Sequence, residues 1–535
     1  MTTAPPPHLP PAAMTAKYPN RRLTIGVDLG SSGVKALLVD SKEGILAEAN
    51  CPTGLYTPFA GAAEADASEW IQAAQKAVRG VVTRSGIDPQ DVAGVAITGM
   101  VPAVVVTDAQ GQALRRPMLQ NDARAETEVQ ELSARLATVG VDVLGRTGSA
   151  VTQQSVAPTL MWLKRHEPDV MAKAALVQGS YDWLAAQMGA RPHVEHNWAI
   201  ESGFFDLHTD RLIPEVLEAA GLDAALLPPM ARPAQLVGAL NAAWARATGL
   251  APGTPILAGG ADHVLSAYAA GVEAPGDYLV KLGGAGDILA AANQPLVDGR
   301  LYLDAHPAPG RWLVNGCMAT SGSLTRWFSQ LVGGASFEDL EADAATRPPA
   351  AVLCLPYFLG EKSPLHDPSL RGAYVGLDLA HTRGDLYRAT LEAVAFAFRH
   401  HVEVFAEMGM ELTRGMVANG GSRSTLWKQI TADVLGTDLT PVANHPGASL
   451  GAAAVAAKGL GLLDSWGQVR GFVEFGETFH PDPVRAAVYQ DAYALWRQCG
   501  EAIRPLSHAL AKGLRAGVPT TLGKAESTNL GNAAQ

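Results

Sequence analysis

The sequence has few of the features that mark exported proteins, membrane proteins or small metal-stabilised folds. It contains four cysteines and no CxxC pair, so neither a zinc site nor a disulfide framework is indicated. No stretch approaches 18 uninterrupted apolar residues, and the Pro-rich start, MTTAPPPHLPPAAMTAKYPN, lacks the apolar core of a signal peptide. We therefore expect a soluble protein of a reducing compartment, the cytoplasm, with no membrane partner.

Positive charge is also scarce. The chain has 41 Lys and Arg against 52 Asp and Glu, which gives a formal net charge of -11. A nucleic-acid-binding protein needs a basic face to neutralise phosphates. We therefore expect no nucleic-acid partner and favour a small-molecule ligand.

The chain is long and reads as two similar halves. Its 535 residues exceed what one hydrophobic core usually holds, which predicts two domains. IGVDLGSSGVKALLVD at 25–40 and YLVKLGGAGDILAAAN at 278–293 both read as strand, Gly-rich turn and strand. This indicates a duplicated α/β domain facing itself across a cleft. We predict a Pro-rich tail (1–20), an N-terminal domain (21–271), a C-terminal domain (272–514) and a second tail (515–535).

The first of these turns has the groups that a polyphosphate needs. Gly30 lets backbone N–H groups approach a ligand, Ser31 and Ser32 add hydroxyl donors, and Lys35 adds positive charge. Asp28, at the end of the strand, is a natural ligand for a magnesium ion that bridges phosphates. A tight hairpin with a solvated aspartate explains the same residues, so both interpretations stay open at this point.

A single carboxylate stands out in LAGGADHVLSAYAAG, residues 257–271. Asp262 follows two glycines at the end of an apolar strand, where α/β folds place their chemistry. It could act as the general base that accepts a proton from a hydroxyl during phosphoryl transfer. The alternative is a structural role as the N-cap of the next helix, and the two roles are compatible.

A third glycine turn occurs in ANGGSRSTLWKQITADVLG. Gly420 and Gly421 connect a strand to a helix that has Ser422 or Ser424 near its N-cap. Such a turn lets a flat ring or a phosphate lie against bare backbone at a helix N-terminus. A plain connection is the alternative.

From about residue 23 to about residue 500, the chain resembles the FGGY carbohydrate kinases, a family of the actin, hexokinase and Hsp70 superfamily. RGAYVGLDLAHTRGDLYRATLE, residues 371–392, fits the family's C-terminal signature in spacing, and the turns described above follow the family's order. The resemblance implies two duplicated ribonuclease-H-like domains around an interdomain cleft. It also implies ATP-dependent, magnesium-assisted phosphorylation of a small-molecule sugar or polyol.

The resemblance also assigns roles to residues. It implies that Asp262 is the general base and that Asp28 helps to hold Mg2+. The implied ATP-binding residues are Gly30, Ser31, Ser32, Lys35, Gly283, Gly284, Gly286, Gly420, Gly421 and Ser422. The implied sugar-binding residues are Met100, Val101, Gln120, Asp122 and Asp262.

The chain departs from the family pattern where the sugar would bind. Gln120 stands where the family often has tryptophan, and Val101 stands where xylulokinases typically have histidine. The second phosphate loop reads GGAG instead of Gly-Thr-Ser-Gly, which removes two hydroxyl donors. FLGEKSPLHDPSLRGAYVGL nevertheless resembles the xylulokinase-like branch, so the resemblance favours a ketopentose, D-xylulose.

Other functions fit the same residues. Within the enzymes, ribulose, ribitol or erythritol could replace xylulose. Outside them, a non-catalytic sugar and nucleotide sensor is disfavoured by the presence of Asp28, Lys35 and Asp262 together, since a pure binder needs no base. An Hsp70-like clamp would need a peptide-binding β-domain after the nucleotide domain. Family likeness alone suggests a homodimer, and the sequence does not specify which hydroxyl is phosphorylated.

Overall fold

The computed structural model describes residues 22–59 and 61–517. The predicted N-terminal tail, residue 60 and residues 518–535 of the predicted C-terminal tail lie outside the described residues. Among the described helices, none is both long and apolar enough to cross a membrane.

The strands fall into two sets, one in each half of the chain. The strands of the first half are β1 (Leu23–Gly30), β2 (Gly33–Asp40), β3 (Gly44–Pro52), β4 (Val92–Gly99), β5 (Val105–Thr107), β6 (Leu176–Gln178), β7 (Val194–Glu195), β8 (Phe205–Asp206), β9 (Arg211–Leu212), β10 (Met230–Ala231), β11 (Leu236–Ala239) and β12 (Pro255–Ala261). The strands of the second half are β13 (Asp277–Leu282), β14 (Gly286–Ala292), β15 (Tyr302–Ala305), β16 (Trp312–Met318), β17 (Leu353–Leu355), β18 (Ala373–Val375), β19 (Arg414–Ala418), β20 (Leu439–Ala443) and β21 (Glu474–Phe475).

The helices are distributed over both halves. Those before residue 270 are α1 (Ala67–Ser85), α2 (Glu126–Thr138), α3 (Val143–Thr147), α4 (Val156–His166), α5 (Pro168–Met171), α6 (Ser180–Met188), α7 (His196–Glu201), α8 (Pro214–Ala220), α9 (Ala242–Thr248) and α10 (Asp262–Ala269). Those after it are α11 (Gly322–Leu331), α12 (Phe337–Ala345), α13 (Arg383–Glu407), α14 (Thr425–Leu435), α15 (Ala448–Gly459) and α16 (Pro483–Gly517). Short 3₁₀ helices span Pro89–Asp91, Ala224–Leu226, Gly420–Arg423 and Trp466–Phe472.

The two main sheets repeat one topology. The first has the order β11-β12-β4-β1-β2-β3, in which β1, β2 and β3 form an antiparallel meander and β4 and β12 run parallel to β1. The second has the order β15-β16-β14-β13-β19-β20-β21, with β13, β14 and β16 as the meander and β19 and β20 as the parallel strands. An antiparallel strand, β11 or β21, completes the corresponding edge of each sheet. The predicted duplication of an α/β domain is confirmed.

The packing crosses the predicted division at residue 271. Helix α15, from the second half, lies on β1 of the first sheet so closely that a side chain at Gly26 would meet the carbonyl oxygen of Ser449 at 1.9 Å. The hydroxyl of Thr24 donates to the carbonyl of Ala453 at 2.9 Å. The alanines and glycines of α15 therefore serve core packing between the halves, and the residue bounds of the two domains stay a prediction.

Three elements have bounds that differ from those that their local sequence suggests. Helix α1 is capped by the side chain of Asp66, which accepts from the N–H groups of Ser68 and Glu69, although Ser68 is also a residue type that suits an N-cap. Strand β17 is shorter than its apolar run, since Pro356 follows it directly. Helix α16 continues through Pro505 to Gly517.

Candidate functional site

The carboxyl ends of three parallel strands bring Asp28 and Asp262 to one edge of the first sheet. Asp28 on β1 is in register with Thr98 on β4, and Thr98 is in register with Gly260 on β12. The hydroxyl of Thr98 donates to the carbonyl of Gly260 at 2.6 Å, which fixes the strand end. Asp262 follows as the first residue of α10, and Ala261 occupies the N-cap position. The Asp262 side chain therefore does not act as the N-cap.

Asp28 lies in an environment that leaves it short of partners. Its Oδ1 atom is buried and has no hydrogen-bond partner. Burial, followed by the negative charge of Asp262, raises the pKa of Asp28 to about 7, while the charges of Lys35 and Lys281 act in the opposite direction. A buried carboxylate oxygen without a partner, next to a second carboxylate, is an arrangement that a cation would stabilise.

The first predicted phosphate loop is a tight hairpin whose tip is exposed to solvent. Gly30 and Gly33 pair across it, and Ser31 and Ser32 are exposed at its tip. Lys35 forms an ion pair with Glu48 at 2.8 Å, with 26% of the Lys35 side chain and 54% of the Glu48 side chain exposed. Because an exposed pair of this kind contributes little free energy, Lys35 can exchange Glu48 for a phosphate at small cost.

The second predicted phosphate loop lies in the second half of the chain. It directly follows β13, which carries Lys281, a cation that the sequence analysis does not predict at the site. Gly283 and Gly284 line a large cavity, whereas a side chain at Gly286 would point at Phe398 in the core. Lys281, on β13, forms an ion pair with Asp287 at 3.1 Å. Burial opposes its protonation, but Asp287 and then Asp262 raise the pKa of Lys281. The half-buried ammonium group of Lys281, in the second half, is thus close enough to Asp262 in the first half for the two charges to interact.

A cavity of about 240 Å³ lies between the halves beside Asp262. Both Asp262 from the first half and Asp287 from the second half line it, so it is an interdomain cavity. Its other polar lining includes Gln120, Gln154, Tyr302, Asn315 and Lys362. The side-chain oxygens Gln120 Oε1 and Asn315 Oδ1 are buried without hydrogen-bond partners. Unpaired acceptors in a small polar cavity are suited to a ligand rich in hydroxyl groups.

The predicted sugar-binding residues separate into two groups. Val101, Gln120 and Asp262 line this cavity, whereas Met100 and Asp122 do not. Asp122 is buried and its carboxylate accepts from the guanidinium of Arg124 at 2.7 Å and from the backbone N–H of Ala63 at 2.7 Å. Both of these bonds go to Oδ2, and Oδ1 accepts from Nε of Arg124 at 2.8 Å. Because both oxygens are occupied, Asp122 holds the chain next to Gln120 in place.

His263 connects the carboxylate of Asp262 to buried acidic groups. Nδ1 of His263 lies 3.5 Å from Oδ1 of Asp262, and Nε2 lies 3.0 Å from Oδ2 of Asp304. Burial opposes the charged imidazole, but Asp304 and the contact with Asp262 raise the pKa of His263 well above its usual value. Burial and the charge of Asp304 raise the pKa of Glu201, the next member of the cluster.

Glu201, His263 and Asp304 have ligand-type atoms within 4.8 Å of one another. Both ring nitrogens of His263 already face carboxylates, so the imidazole has no lone pair to offer a metal ion. The cluster therefore connects Asp262 through the close contacts of His263 to Asp304, with Glu201 beside them.

A second cavity, of about 800 Å³, is large enough for a nucleoside. It is lined by Gly283 and Gly284 of the second loop and by Gly420 and Gly421 of the glycine turn after β19. A side chain built at Gly420 would meet no atom within 4 Å, so bare backbone faces the cavity there. Ser424, rather than Ser422, caps α14 by accepting from the N–H of Trp427.

Ser422 lies on the other side of this turn. It lines an adjoining cavity of about 670 Å³ together with Gly420, Lys428 and His445, and its hydroxyl donates to the carbonyl of Asn419 at 2.6 Å. The structure thus brings Gly420 and Gly421 to the same cavity as the second phosphate loop and leaves Ser422 outside it.

Four residues at the site were not predicted from the sequence: Glu201, His263, Lys281 and Asp304. Lys281 could have been noticed, because it is a lone charge inside the apolar strand DYLVKL. His263 directly follows Asp262, so it too lies just after the end of an apolar strand, where α/β folds place their chemistry. Glu201 and Asp304 are far from Asp262 in sequence, and only the fold brings them together.

The chain matches known proteins over most of its length. Residues 23–269 match the N-terminal domain of the FGGY family of carbohydrate kinases, and residues 286–460 match the C-terminal domain of that family. The chain is 28% identical to a xylulose kinase from Bacillus subtilis (strain 168) over 495 residues, 91% of this chain and 99% of that protein. It is 28% identical to a xylulose kinase from Escherichia coli (strain K12) over 490 residues, 90% of this chain and 99% of that protein.

A solved structure agrees with these relatives. The crystal structure of a xylulose kinase from Rhodospirillum rubrum superposes with a TM-score of 0.85 at 40% sequence identity, covering 91% of this chain and 100% of that one. Both domains, their order and the whole architecture are therefore shared with known sugar kinases. The chain belongs to the FGGY family of carbohydrate kinases.

Proposed function

We propose that this carbohydrate kinase transfers the γ-phosphate of ATP to a hydroxyl of a ketopentose, D-xylulose, with Asp262 as the general base. One observation carries the proposal. The Asp262 side chain, 36% exposed, opens into the 240 Å³ interdomain cavity, and its charge acts on Asp28 at the first phosphate loop and on Lys281 near the second. A proton acceptor between a hydroxyl-binding cavity and cationic phosphate loops is what phosphoryl transfer to an alcohol requires.

The identity of the sugar is supported by the relatives. The proteins from Bacillus subtilis, Escherichia coli and Rhodospirillum rubrum are all named xylulose kinases, and each is matched over about nine tenths of this chain. In the cavity, the unpartnered oxygens of Gln120 and Asn315 would accept hydrogen bonds from sugar hydroxyls. These contacts would orient the sugar, so that the hydroxyl next to Asp262 meets the terminal phosphate in line.

The nucleotide would occupy the 800 Å³ cavity on the second half. Gly420 and Gly421 would face the adenosine, and the backbone N–H groups of Gly283 and Gly284 would face the phosphates. The donor site would then lie on the second half, and the acceptor site would be the interdomain cavity beside Asp262. Closure of the halves would then exclude water, so that the sugar hydroxyl attacks in its place.

We propose that Mg2+ assists this reaction and that Asp28 holds it, directly or through water. The buried, unpartnered Oδ1 of Asp28 fits a hard cation that prefers carboxylate oxygens. When bound, the ion would supply positive charge that neutralises the phosphate oxygens. Without it, the nearby Asp262 and burial favour the protonated form of Asp28 and raise its pKa to about 7.

We also propose a cytoplasmic enzyme that works as a homodimer on a small-molecule substrate, without a nucleic-acid partner. All four cysteines are free thiols, which suits a reducing compartment. The net charge of -11 disfavours phosphate backbones as partners.

The substrate assignment is tested by an ATP-dependent screen across ketopentoses, pentitols, tetritols and glycerol. Acceptors are ranked by kcat/KM, because specificity is a ratio of these values. We expect D-xylulose to rank first. A higher value for ribulose, ribitol or erythritol would replace the sugar and keep the kinase, whereas nucleotide binding without phosphorylation of any acceptor would favour a sensor.

A further inference from the structure

The two glycine hairpins carry charged residues at matching positions, with the signs exchanged. In the β1–β2 pair, Asp28 lies directly opposite Lys35. In the β13–β14 pair, Lys281 lies directly opposite Asp287. Asp28 and Lys281 are each followed by the same dipeptide, Leu-Gly, where the turn begins. β1 and β13 also have the same neighbours, an antiparallel strand on one side and a parallel strand on the other. Lys281 therefore occupies in the second half the position that Asp28 occupies in the first.

Lys281 lies on the face of β13 that is turned toward the cavity beside Asp262. Successive residues of a strand point to opposite faces of the sheet, and residues opposite each other on paired strands share a face. Leu282 lines the cavity of about 800 Å³, whereas Asp287, the cross-strand partner of Lys281, lines the interdomain cavity of about 240 Å³. Nζ of Lys281 and Oδ2 of Asp287 are 3.1 Å apart. β13 therefore presents one face to each cavity, and the ammonium group lies on the side of Asp262.

The loop after Lys281 connects the two cavities. Gly284 lines the cavity proposed for ATP, and Ala285 lines the interdomain cavity. A phosphate group that leaves ATP for a hydroxyl beside Asp262 therefore passes along this loop. Gly284 and Ala285 have no hydrogen-bonding side chains, so the loop itself offers backbone N–H groups, which carry only partial charge. A full positive charge next to the loop would stabilise the phosphate in transit more strongly.

The Lys281 side chain is a cation with donors to spare. Only 14% of it is exposed, and although burial opposes the charge, the carboxylates of Asp287 and Asp262 raise the pKa of Lys281. Burial and Asp262 raise the pKa of Asp28, and the charge of Lys281 acts in the opposite direction, so the two hairpins lie within reach of each other's charge. An ammonium group has three N–H donors. In the part of the chain that the structure describes, Asp287 alone forms an ion pair with Lys281, which leaves donors for a ligand.

We propose that Lys281 is a catalytic residue of this kinase, whose ammonium group donates to an oxygen of the phosphate group as that group moves from ATP to the sugar. The inference rests on the proposed function and adds a residue to it. In the step, the sugar hydroxyl oxygen forms a bond to the γ-phosphorus, the bond from that phosphorus to the bridging oxygen of ADP breaks, and the hydroxyl proton moves to Asp262. Lys281 keeps its own proton and stabilises the negative charge on the phosphate oxygens.

The alternative is an ion pair that only ties β13 to β14. The two roles differ in what they do to ligands with and without a phosphate in transit. ADP has no γ-phosphate, so a Lys281 that contacts that group contributes little to ADP binding. A purely structural lysine would affect ADP and a mimic of the transferring phosphate alike.

The first test measures turnover and binding in the full chain with Lys281→Met. Its kcat is expected to fall at least about a hundredfold, the effect of removing one donor to a reacting oxygen. Its Kd for ADP should stay unchanged, but aluminium fluoride, which mimics the transferring phosphate when added with ADP, Mg2+ and sugar, should no longer tighten binding. Lys281→Arg keeps the charge and should recover part of both properties. Lys173→Met, at an exposed lysine, is the matched control and should behave as the wild type.

Two results would overturn the inference and leave the proposed function intact. One is Lys281→Met turning over near the wild-type rate while Asp262→Asn is inactive. The other is Lys281→Met binding ADP with aluminium fluoride as tightly as the wild type does. A wild type that phosphorylates no acceptor would overturn the proposed function and this inference together.

The second test separates catalysis from the ion pair. Lys281→Met alone leaves the carboxylate of Asp287 without its cation, which can destabilise the fold by itself. Lys281→Met combined with Asp287→Asn removes both charges, and the reference is Asp287→Asn alone, with thermal unfolding as the check on folding. The double variant should stay at least about a hundredfold below the reference in kcat. Equal rates in the double variant and the reference would show that Lys281 serves only to neutralise Asp287, and would overturn the inference.

Discussion

Nδ1 of His263 lies 3.5 Å from Oδ1 of Asp262, the residue that precedes it. The backbone N–H of His263 also donates to the same oxygen at 2.6 Å. On its far side, Nε2 of the ring lies 3.0 Å from Oδ2 of Asp304, and although burial opposes the charged form, Asp304 and Asp262 raise the pKa of His263. This arrangement fixes one oxygen of Asp262 and leaves the other to face a substrate hydroxyl, which makes His263 a positioning residue for the proposed base.

His263→Gln tests this role. It keeps a polar side chain but removes the positive charge, so kcat is expected to fall roughly tenfold with little change in KM for ATP. The control is His480→Gln, which removes an exposed histidine paired with Asp438. A lower kcat accompanied by an equal rise in KM for ATP would indicate a merely structural role.

Gln120→Leu tests the sugar cavity. The amide oxygen of Gln120 is buried without a hydrogen-bond partner, and Gln120 lines the cavity. A hydroxyl of a bound sugar would supply the missing partner. Losing one such hydrogen bond should raise KM for the sugar about two- to tenfold and leave KM for ATP unchanged. The exposed Gln112 offers the control Gln112→Leu. An equal rise in both KM values would show that the change acts on the fold rather than on the sugar.

The adjacent glycines of the nucleotide cavity are predicted to respond in opposite ways. A side chain at Gly420 has open space, so Gly420→Ala should leave the free energy of unfolding unchanged and weaken ATP binding roughly tenfold, because the methyl group would displace the nucleotide. At Gly421 the added atom would lie 2.6 Å from the Trp427 ring and 2.7 Å from Leu282, so Gly421→Ala should cost about 1–3 kcal/mol of stability. Calorimetric titration with ATP and thermal unfolding separate the two effects. Unchanged ATP affinity in Gly420→Ala would move the nucleotide away from this turn.

Asp28→Asn tests the proposed metal ligand. The amide keeps the shape of the side chain but loses the charge, so the magnesium concentration for half-maximal turnover should rise roughly tenfold. Binding of Mn2+ with ADP, followed by electron paramagnetic resonance, gives a readout that does not depend on catalysis and should weaken in parallel. Asp169→Asn, at an exposed aspartate, is the control. If neither titration moved, the metal would have to be held elsewhere.

The sequence was sufficient for the fold because the signals that matter are local. The apolar run and Gly-rich turn around Asp28 predict β1 and β2, the related segment at 278–293 predicts β13 and β14, and the two sheets confirm the duplication. The sequence alone does not specify where a helix begins when two possible capping residues lie close together. Asp66 and Ser68 both suit the start of α1, and the structure selects Asp66.

The candidate site was only partly predictable because its electrostatics are long-range. Asp262 and Gln120 belong to recognisable segments, and the structure places both at one cavity. Asp304 is a lone aspartate in a short strand, and its contact with His263 exists only because the second half packs against the first. Asp122 shows the opposite case, since the motif predicts a sugar contact and the structure pairs its carboxylate with Arg124 and Ala63.

The account depends most on Asp262 as the proton acceptor, and Asp262→Asn tests it directly. The amide cannot accept the hydroxyl proton, so phosphorylation of D-xylulose measured by ADP release should fall by at least about a hundredfold. ATP affinity should stay nearly unchanged, since Asp262 does not line the nucleotide cavity. Turnover near the wild-type rate, with the variant folded and ATP bound, would contradict the central claim.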